Sequence, residues 1–285
     1  MKIPGKIIGL SIMLLLFPSP VPAVTQNFGV KIRQPVPIEE PLPALAVGER
    51  LTFDVFWMGI PVGIGTLEVK EKVDVRGRQA FHVVATAKTN DFLSAIYPVE
   101  DQVHSFIDAE RFCSLEFRKT LKEGRYRADE SIVYDYAAKK GFYESLHNNS
   151  KKEFDIGDCA HDILSVFYWF RLQPGVEVGK SLRSAVNSEE KNWDLEFKVL
   201  KRETKELRGG VVIETLQVEP KTRYKGILYD RGRAWVYFSV DKARQPVWIT
   251  IKTPFGPVAG VLNTKGGEGP VAAPAAEAPS ATSRI

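Results

Sequence analysis

Cysteine and histidine are the residue types in this chain most able to do chemistry, and their spacing favours neither catalysis nor metal binding. Cys159 and His161 stand two positions apart in a stretch that predicts a helix, where residues at that spacing point away from each other. A Cys–His nucleophile pair is therefore not favoured. The four histidines, His82, His104, His147 and His161, form no HxH or HExxH pattern. The sequence thus indicates no local metal site, and only a site assembled from distant strands stays open.

The glycine and serine patterns carry no catalytic signature either. Gly59, Gly63 and Gly65 lack the spacing of a phosphate-binding loop, and no predicted helix follows them. Ser94 and Ser165 do not lie in a GxSxG elbow. We therefore expect a protein that is not an enzyme and that uses no cofactor. A buried cluster of convergent polar groups with perturbed pKa values would favour an enzyme instead.

The chain contains two cysteines, Cys113 and Cys159. In an exported protein they could form a disulfide, which would stabilise the fold by ~3–4 kcal/mol if it is unstrained. The alternative is a pair of buried free thiols that behave as small hydrophobic side chains. The sequence leaves both alternatives open, because it does not show whether the two Cα atoms come close enough for a bond.

The composition favours a globular protein without a nucleic-acid partner. Hydrophobic residues make up 44% of the 285 positions, which is enough for a sizeable core. The 39 Lys and Arg residues are interspersed with 35 Asp and Glu residues, so the net charge is only +4 and no basic block occurs. Nucleic-acid-binding proteins cluster their basic residues on one face, whereas this pattern is typical of a solvated mixed surface.

The two ends of the chain predict segments outside the folded domain, which we place at residues 48–263. Residues 1–23 have the features of a signal peptide, with Lys2 and Lys6 before an apolar run too short to span a bilayer. A retained anchor is the alternative. Residues 24–47 form a proline-rich lead-in, and residues 264–285 form a tail rich in Gly, Pro and Ala that we expect to be disordered. We therefore expect a periplasmic protein of a Gram-negative-type envelope, with no transmembrane span once the signal is removed.

Residues 48–70 predict the hairpin that opens the domain. Apolar and polar residues alternate from Leu51 to Trp57 and again from Thr66 to Lys70, and a period of two is typical of strands with one buried face. The glycines between the two strands leave the start of the second strand nearly bare of side chains. Such bareness indicates a bulge, a tight bend or the close approach of another group.

One helix and many further short strands follow this hairpin. Residues 159–172 predict a buried helix, because they are apolar nearly all round, with Asp158 as the N-cap. Residues 147–157 read as a polar loop. Regular turns separate the other predicted strands, and this favours a mainly β fold: a strongly curved antiparallel sheet or partial barrel with one central buried helix.

Several motifs resemble those of an uncharacterised bacterial exported family, the DUF3108 domain family. They are residues 48–54 (GERLTFD), 59–63 (GIPVG), 97–108 (YPVEDQVHSFID), 123–126 (EGRY), 162–165 (DILS), Gly226 and 235–236 (WV). The resemblance spans roughly residues 48–262 and implies a curved antiparallel sheet, broadly similar to periplasmic lipoprotein-carrier folds, with a hydrophobic groove. The motifs carry no catalytic signature, and the two cysteines are not part of the family pattern.

The aromatic residues are the main candidates for a ligand site. They could simply fill the core, or some of them could line a cavity for an acyl chain or another apolar ligand. The candidate groove residues are Trp57, Phe92, Tyr97, Phe167, Trp169 and Trp235. We expect a non-enzymatic protein that binds or carries a hydrophobic, lipid-like ligand between sheet and helix. The alternative is an envelope scaffold that acts through contacts with another envelope protein.

Overall fold

The computed structural model describes residues 45–188, 191–224, 227–229 and 233–264. The expected signal peptide, all but the last three residues of the lead-in, and all but the first residue of the tail lie outside these ranges, as does Gly226. Leu45 and Gly48 belong to the folded part. The Leu45 side chain is buried in the main core, and the backbone N–H of Gly48 donates to the carbonyl oxygen of Val69 at 2.7 Å.

The described chain contains fifteen strands and two helices. In order they are β1 Arg50–Trp57, β2 Ile60–Val75, β3 Arg78–Thr89, α1 Asp91–Ser94, β4 Glu100–Asp108, β5 Ser114–Glu123, β6 Tyr126–Asp135, β7 Lys140–Ser145, β8 Ser150–Asp155, α2 Ser165–Leu172, β9 Ser181–Ser188, β10 Lys191–Glu206, β11 Val212–Tyr224, β12 Ile227–Tyr229, β13 Arg233–Ser239, β14 Pro246–Thr253 and β15 Gly256–Leu262. Neither helix has the length and apolar composition that a bilayer crossing requires.

All strands belong to one antiparallel sheet whose topology explains where α2 lies. The order across the sheet is β8-β7-β6-β5-β4-β3-β2-β1-β15-β14-β13-β11-β10-β9, with β12 paired to β11. The chain thus meanders outward from β1 to β8, passes through α2 to the opposite edge, and returns from β9 to β15 beside β1. Because α2 connects the two edge strands, it must cross one face of the sheet, which we call the inner face.

The sheet is strongly curved and not closed, which confirms the predicted fold class. Five strand pairs contain a register shift, among them β1–β2 between Val55 and Phe56 and β2–β3 between Val69 and Glu71. The other three lie in β4–β5, β10–β11 and β13–β14. A bulge bends its strand and increases the local twist. Bulges spread across the sheet therefore wrap its inner face around α2, where the main core lies.

The central helix is shorter than predicted, and Asp158 is not its N-cap. The helix begins at Ser165 rather than at residue 159, and its N-cap position is Leu164. Two contacts keep the preceding segment extended. Cys159 is bonded to Cys113, and His161 forms a parallel bridge with Val186 of β9. Residues 160–164 are buried in the core, and this burial does not come from helical geometry.

The sequence analysis did not predict two of the strands, β8 and β12. Residues 147–157, predicted as a polar loop, contain β8, which pairs with β7 in the register Lys140↔Asp155 to Ser145↔Ser150. Its side chains are mostly exposed because β8 is an edge strand, and an edge strand need not show the apolar alternation of a half-buried one. The short β12 pairs only with the end of β11.

The disulfide fastens the segment before α2 to the sheet. Cys113 and Cys159 are 46 residues apart in sequence, and their Cα atoms are 5.2 Å apart. Cys113 directly precedes β5, and Cys159 lies three residues before Asp162, the residue that organises the start of α2. The backbone N–H of Ser114 also donates to the carbonyl oxygen of Ala160 at 2.9 Å. A covalent bond and a backbone hydrogen bond therefore hold this segment against β5.

Candidate ligand-binding site

An apolar cavity of about 110 Å³ lies between α2 and the inner face of the sheet. The helix contributes Phe167, Tyr168 and Arg171 to its wall, and β1, β2, β3, β13, β14 and β15 contribute almost exclusively apolar side chains. An engineered apolar cavity of ~150 Å³ in another protein stays dry and binds benzene or xenon. The space under α2 is of the same order, so it suits a small apolar group or the end of a longer one.

Small residues on the sheet create this space. Gly65, Ala85, Ala87, Ala234 and Gly260 all line the cavity opposite the helix. At Gly65 a Cβ atom would meet nothing closer than the Thr86 carbonyl oxygen at 3.6 Å, and the backbone is not in the left-handed region. The conformation therefore does not require glycine there. The bareness of β2 noted in the sequence leaves room under the helix.

Arg171 anchors the C-terminal half of α2 and forms one side of the cavity. Its guanidinium is 8% exposed and makes a bidentate ion pair with the Glu49 carboxylate, with nitrogen–oxygen distances of 2.6 and 2.7 Å. It also donates to the carbonyl oxygen of Ala243 at 3.2 Å, and the side-chain amide of Gln245 donates to Glu49 at 3.2 Å. The charge of Arg171 is thus neutralised inside the protein, as a buried ion requires.

Arg244 closes the end of the same helix. One nitrogen of its guanidinium donates to the carbonyl oxygens of Phe170, Arg171 and Gln173 at 3.3, 2.9 and 2.7 Å. The last carbonyls of a helix have no intrahelical donor, and a cation beside them complements the helix dipole. The C-terminus of α2 is therefore fixed relative to the turn after β13.

Asp162 organises the start of the helix within a buried polar cluster that we define as Asp162, Ser105, Ser114, Ser165 and His161. The Asp162 Oδ1 atom accepts from the backbone N–H groups of residues 164 and 165, both at 2.8 Å. Its Oδ2 atom accepts from the hydroxyls of Ser105 and Ser114 at 2.6 and 2.7 Å. The carboxylate thus takes the capping role that the sequence assigned to Asp158. Burial raises the pKa of Asp162, while these four hydrogen bonds oppose the rise.

This cluster contains serine, histidine and aspartate, but its hydrogen bonds are those of a structural support. The Ser165 hydroxyl is 3.5 Å from Nδ1 of His161, at the limit of a hydrogen bond, and both carboxylate oxygens of Asp162 are occupied by other donors. A catalytic triad needs the carboxylate to orient the imidazole. The cluster also lies outside the lining of the apolar cavity. Its arrangement supports positioning of α2 rather than nucleophilic chemistry.

His161 makes the stability of the fold sensitive to acid. Burial lowers its pKa from the ordinary value of 6.5 to about 4, so the unfolded chain takes up a proton before the folded chain does. Stability should therefore be complete above pH 6.5 and fall as the pH decreases towards 4, by about 3 kcal/mol in total. Burial lowers the pKa values of His82 and His104 in the same direction, whereas the raised pKa of Asp162 acts in the opposite sense above pH 3.8.

Urea unfolding between pH 4.5 and 7.5 measures this loss, and a His161→Phe variant isolates the contribution of one imidazole. The slope of unfolding free energy against pH should be shallower in the variant than in the wild-type protein. Equal slopes in the two proteins would show that His161 is not the group responsible.

Of the six aromatic residues proposed for the groove, the structure places Phe167 in the wall of the cavity. Trp235 lies between Ala234 and Val236, which line the cavity, so its side chain points to the opposite, outer face. There Arg233 and Lys252 lie against its ring at 5.0 and 5.4 Å. Trp235 was predicted to line the groove because it is aromatic, and that prediction did not take the alternation of the strand into account.

The remaining four do not line the cavity. The Trp57 indole N–H donates to the carbonyl oxygen of Phe255 at the β14–β15 turn. Phe92 is 69% exposed on α1. The ring of Tyr97 lies against Gly124, where a Cβ atom would come within 2.7 Å of it. Trp169 is on the side of α2 that faces the polar cluster, with its ring 5.7 Å from that of His161.

Three residues that the sequence interpretation did not select belong to the site: Tyr168, Arg171 and Glu49. Tyr168 is one of several consecutive aromatic residues in the helix, and nothing in the local sequence distinguishes it from its neighbours. Glu49 lies in the GERLTFD motif but 122 positions from Arg171, and local sequence carries no signal for a pairing at that distance. The unusual glycine content of β2 was the one available signal for the cavity.

The outer face carries two further features. A wider groove of about 450 Å³ lies between the β10–β11 turn and the outer face of β1, β14 and β15, and is more open to solvent. His82 and His104 meet on neighbouring strands with ring nitrogens 2.9 Å apart. Among the described residues, no group of three or more His, Cys, Asp or Glu side chains is arranged to hold a metal ion.

Two bacterial proteins are among the solved structures similar to this chain. A beta-barrel-like protein of domain of unknown function DUF1849 from Brucella abortus is similar over 75% of this chain and 94% of its own, with 9% sequence identity and a TM-score of 0.50. A candidate exported protein with a YmcC-like fold from Bacteroides fragilis aligns over 78% of this chain and 96% of its own, with 12% identity and a TM-score of 0.29. A search of curated proteins found no match.

The family model for DUF3108, described as a protein of unknown function, matches residues 52–263. The match includes the sheet from β1 to β15 and both helices. It also includes Ser105, Asp162 and Ser165, which lie in motifs that carried the resemblance and which fix the start of α2. On this match over most of its length, the chain belongs to the DUF3108 family.

Proposed function

We propose that the chain is an exported, non-enzymatic protein of a Gram-negative-type envelope that binds an apolar or lipid-like ligand between α2 and the inner face of the sheet. The observation that carries the proposal is the apolar cavity under the helix, which small residues such as Gly65 keep open. Unfilled apolar space costs packing energy. A bound apolar ligand would fill this space and restore the missing packing contacts.

Export is supported by two separate observations. The first 23 residues have the charge and apolar pattern of a signal peptide. The disulfide between Cys113 and Cys159 is the kind of bond that persists in the periplasm and is rare in the reducing cytosol. An envelope location also places the protein beside lipid, the most abundant source of apolar ligands there.

Binding of a neutral apolar dye tests the proposal. The purified chain without residues 1–23 should bind N-phenyl-1-naphthylamine saturably at one site, with increased fluorescence, and an envelope lipid extract should displace the dye. The control is the same titration after unfolding in urea, which should give no saturable signal. If the folded protein produces no saturable increase and retains no lipid from the extract, the proposed ligand-binding function is wrong.

A scaffold role is the second candidate, and a specific surface favours it. Met58, Ile60, Phe92 and Ile96 are between 53% and 71% exposed, and the Asn90 side chain joins α1 to the β1–β2 hairpin by donating to the carbonyl oxygen at position 61. Exposed apolar residues on two segments joined in this way are typical of an interaction surface. Recovery of an envelope protein with the wild-type chain, but not with a Phe92→Ser and Ile96→Ser double variant, would support this role.

A further inference from the structure

The groove of about 450 Å³ on the outer face, which we call the outer groove, has a mainly apolar lining with two aromatic side chains. Phe56, Trp248, Ala259 and Val261 line it from the sheet, and Leu207 lines it from the β10–β11 turn. Aromatic-lined grooves are typical binding sites for extended, proline-containing segments, which have no internal hydrogen bonds to lose. The outer groove therefore suits a short apolar stretch of extended chain.

Hydrogen bonds fix the β10–β11 turn against the sheet and bring the end of the described chain beside the groove. The Arg208 guanidinium donates to one carboxylate oxygen of Asp54 in β1 at 2.8 Å, and the Asn263 side-chain amide donates to the other oxygen at 3.2 Å. The Thr264 hydroxyl donates to the carbonyl oxygen of Arg208 at 3.1 Å. Arg208 lines the groove, so the chain leaves the described structure directly at its wall.

The residues that follow Thr264 have the composition that such a groove requires. Residues 265–269 read KGGEG, and glycine-rich stretches of this kind are typical of a chain reversal. Residues 270–276 read PVAAPAA, without a charge and with two prolines. Side chains this small cannot form a core of their own. They can still pack on an apolar surface that the sheet already provides.

The lengths of the groove and of this segment agree. Along β15 the lining extends from Pro257 to Val261, a span of about 13 Å at ~3.3 Å per residue of strand. Residues 270–274 span about 12 Å at ~3.1 Å per residue in the polyproline II conformation that prolines favour. A reversal over residues 265–269 would direct them from Thr264 back along β15.

The tail has an advantage over the other possible occupants of the groove. The lead-in joins the fold at Leu45, which is buried in the main core on the inner face, so the sheet lies between it and the outer groove. A second copy or another protein would compete with a segment attached beside the groove. A short flexible connection gives such a segment an effective concentration in the millimolar range.

We propose that residues 270–276 of the tail dock in the outer groove of the same molecule, running back along β15 and covering Phe56 and Trp248. This inference is independent of the proposed ligand site under α2. It assigns the outer groove to the chain itself rather than to a ligand or a partner.

Methyl NMR of residues 24–285 and of the shorter chain 24–264 tests the inference. The methyl resonances of Leu207 and Val261 should differ between the two proteins, because the tail covers them only in the longer one. The methyl resonances of Ile251, on the inner face, should coincide and so show that both proteins have the same fold. Identical resonances at Leu207 and Val261 would overturn the inference.

A pair of tail variants identifies the docking segment. In the wild-type chain, NOEs should connect the methyl groups of Val271 with the ring of Trp248. Val271→Asp places a carboxylate in an apolar groove, where it would lose its hydration, so the groove resonances should move to their positions in the shorter chain. Ala281→Asp introduces the same charge outside the segment and should leave them as in the wild-type chain. Equal effects of the two variants would contradict docking of residues 270–276.

A synthetic peptide of residues 265–285 tests the same contact in trans. Added to the shorter chain, it should shift the Leu207 and Val261 resonances towards their positions in the longer chain. Its dissociation constant should be about 1 mM or tighter, because a linked segment at millimolar effective concentration is docked only if the free peptide binds in that range. The inference is wrong if the peptide does not bind, if the NOEs to Trp248 come from residues 24–44, or if dilution abolishes the shifts of the longer chain, which would indicate a second copy.

Discussion

Gly65→Leu should strongly weaken the binding of apolar ligands and leave the fold intact. A Cβ atom at Gly65 has ordinary contacts only, and the backbone there suits any L-residue. The rest of the side chain would extend into the cavity of about 110 Å³. We expect the affinity for N-phenyl-1-naphthylamine to fall at least about tenfold, with a melting temperature equal to or above that of the wild-type chain, because glycine weakens a strand interior.

Gly157→Leu is the control for this variant. Gly157 has no heavy atom within 4 Å of its ideal Cβ position and lies outside the cavity, so the same substitution there should leave dye binding unchanged. Undiminished binding by a folded Gly65→Leu protein would place the ligand elsewhere, with the outer groove beside Leu207 and Val261 as the next candidate. Loss of binding together with unfolding would show that α2 cannot pack on the sheet when a leucine side chain lies between them.

Replacing Asp162 by alanine should bring the protein close to global unfolding. The change removes the acceptor of two serine hydroxyls and two backbone N–H groups, all of them buried. Each buried donor left without a partner costs about 1–3 kcal/mol, so the total loss should be about 4 kcal/mol or more, against a typical stability of 5–15 kcal/mol. Urea unfolding monitored by tryptophan fluorescence measures the loss.

Two further variants make the Asp162 result specific. Asp162→Asn keeps one acceptor oxygen and should lose less stability than Asp162→Ala. Asp135→Ala removes an exposed hydrogen bond to the backbone N–H of residue 138 and should cost well under 2 kcal/mol. If Asp162→Ala is as stable as Asp135→Ala, the polar cluster does not fix the helix and the account of α2 is wrong.

The alternation of apolar and polar residues was sufficient to predict those strands that bury only one face. Strands such as β6 alternate because one face meets the core. The pattern was insufficient for β8, because an edge strand with exposed side chains does not alternate. It also misplaced the start of α2. Residues 160–164 are buried in the core without being helical, because the disulfide at Cys159 and the bridge from His161 to β9 hold this segment against the sheet.

The candidate site was less predictable than the fold. The sequence analysis selected aromatic residues as the lining of an apolar cavity, whereas the cavity exists because residues such as Gly65 and Ala87 are small. Periodicity assigns a residue to a face only when the strand register is applied, as Trp235 shows. The pairing of Glu49 with Arg171 depends on a contact between distant segments, and no local pattern reports such contacts.

Methyl NMR of the chain with bound N-phenyl-1-naphthylamine locates the ligand directly. The proposed function predicts that chemical-shift changes and intermolecular NOEs concentrate on the methyl groups of Val55, Val236, Ile249 and Ile251, which line the space under α2. Changes confined to Leu207 and Val261 in the outer groove, or no changes at any methyl group, would contradict it.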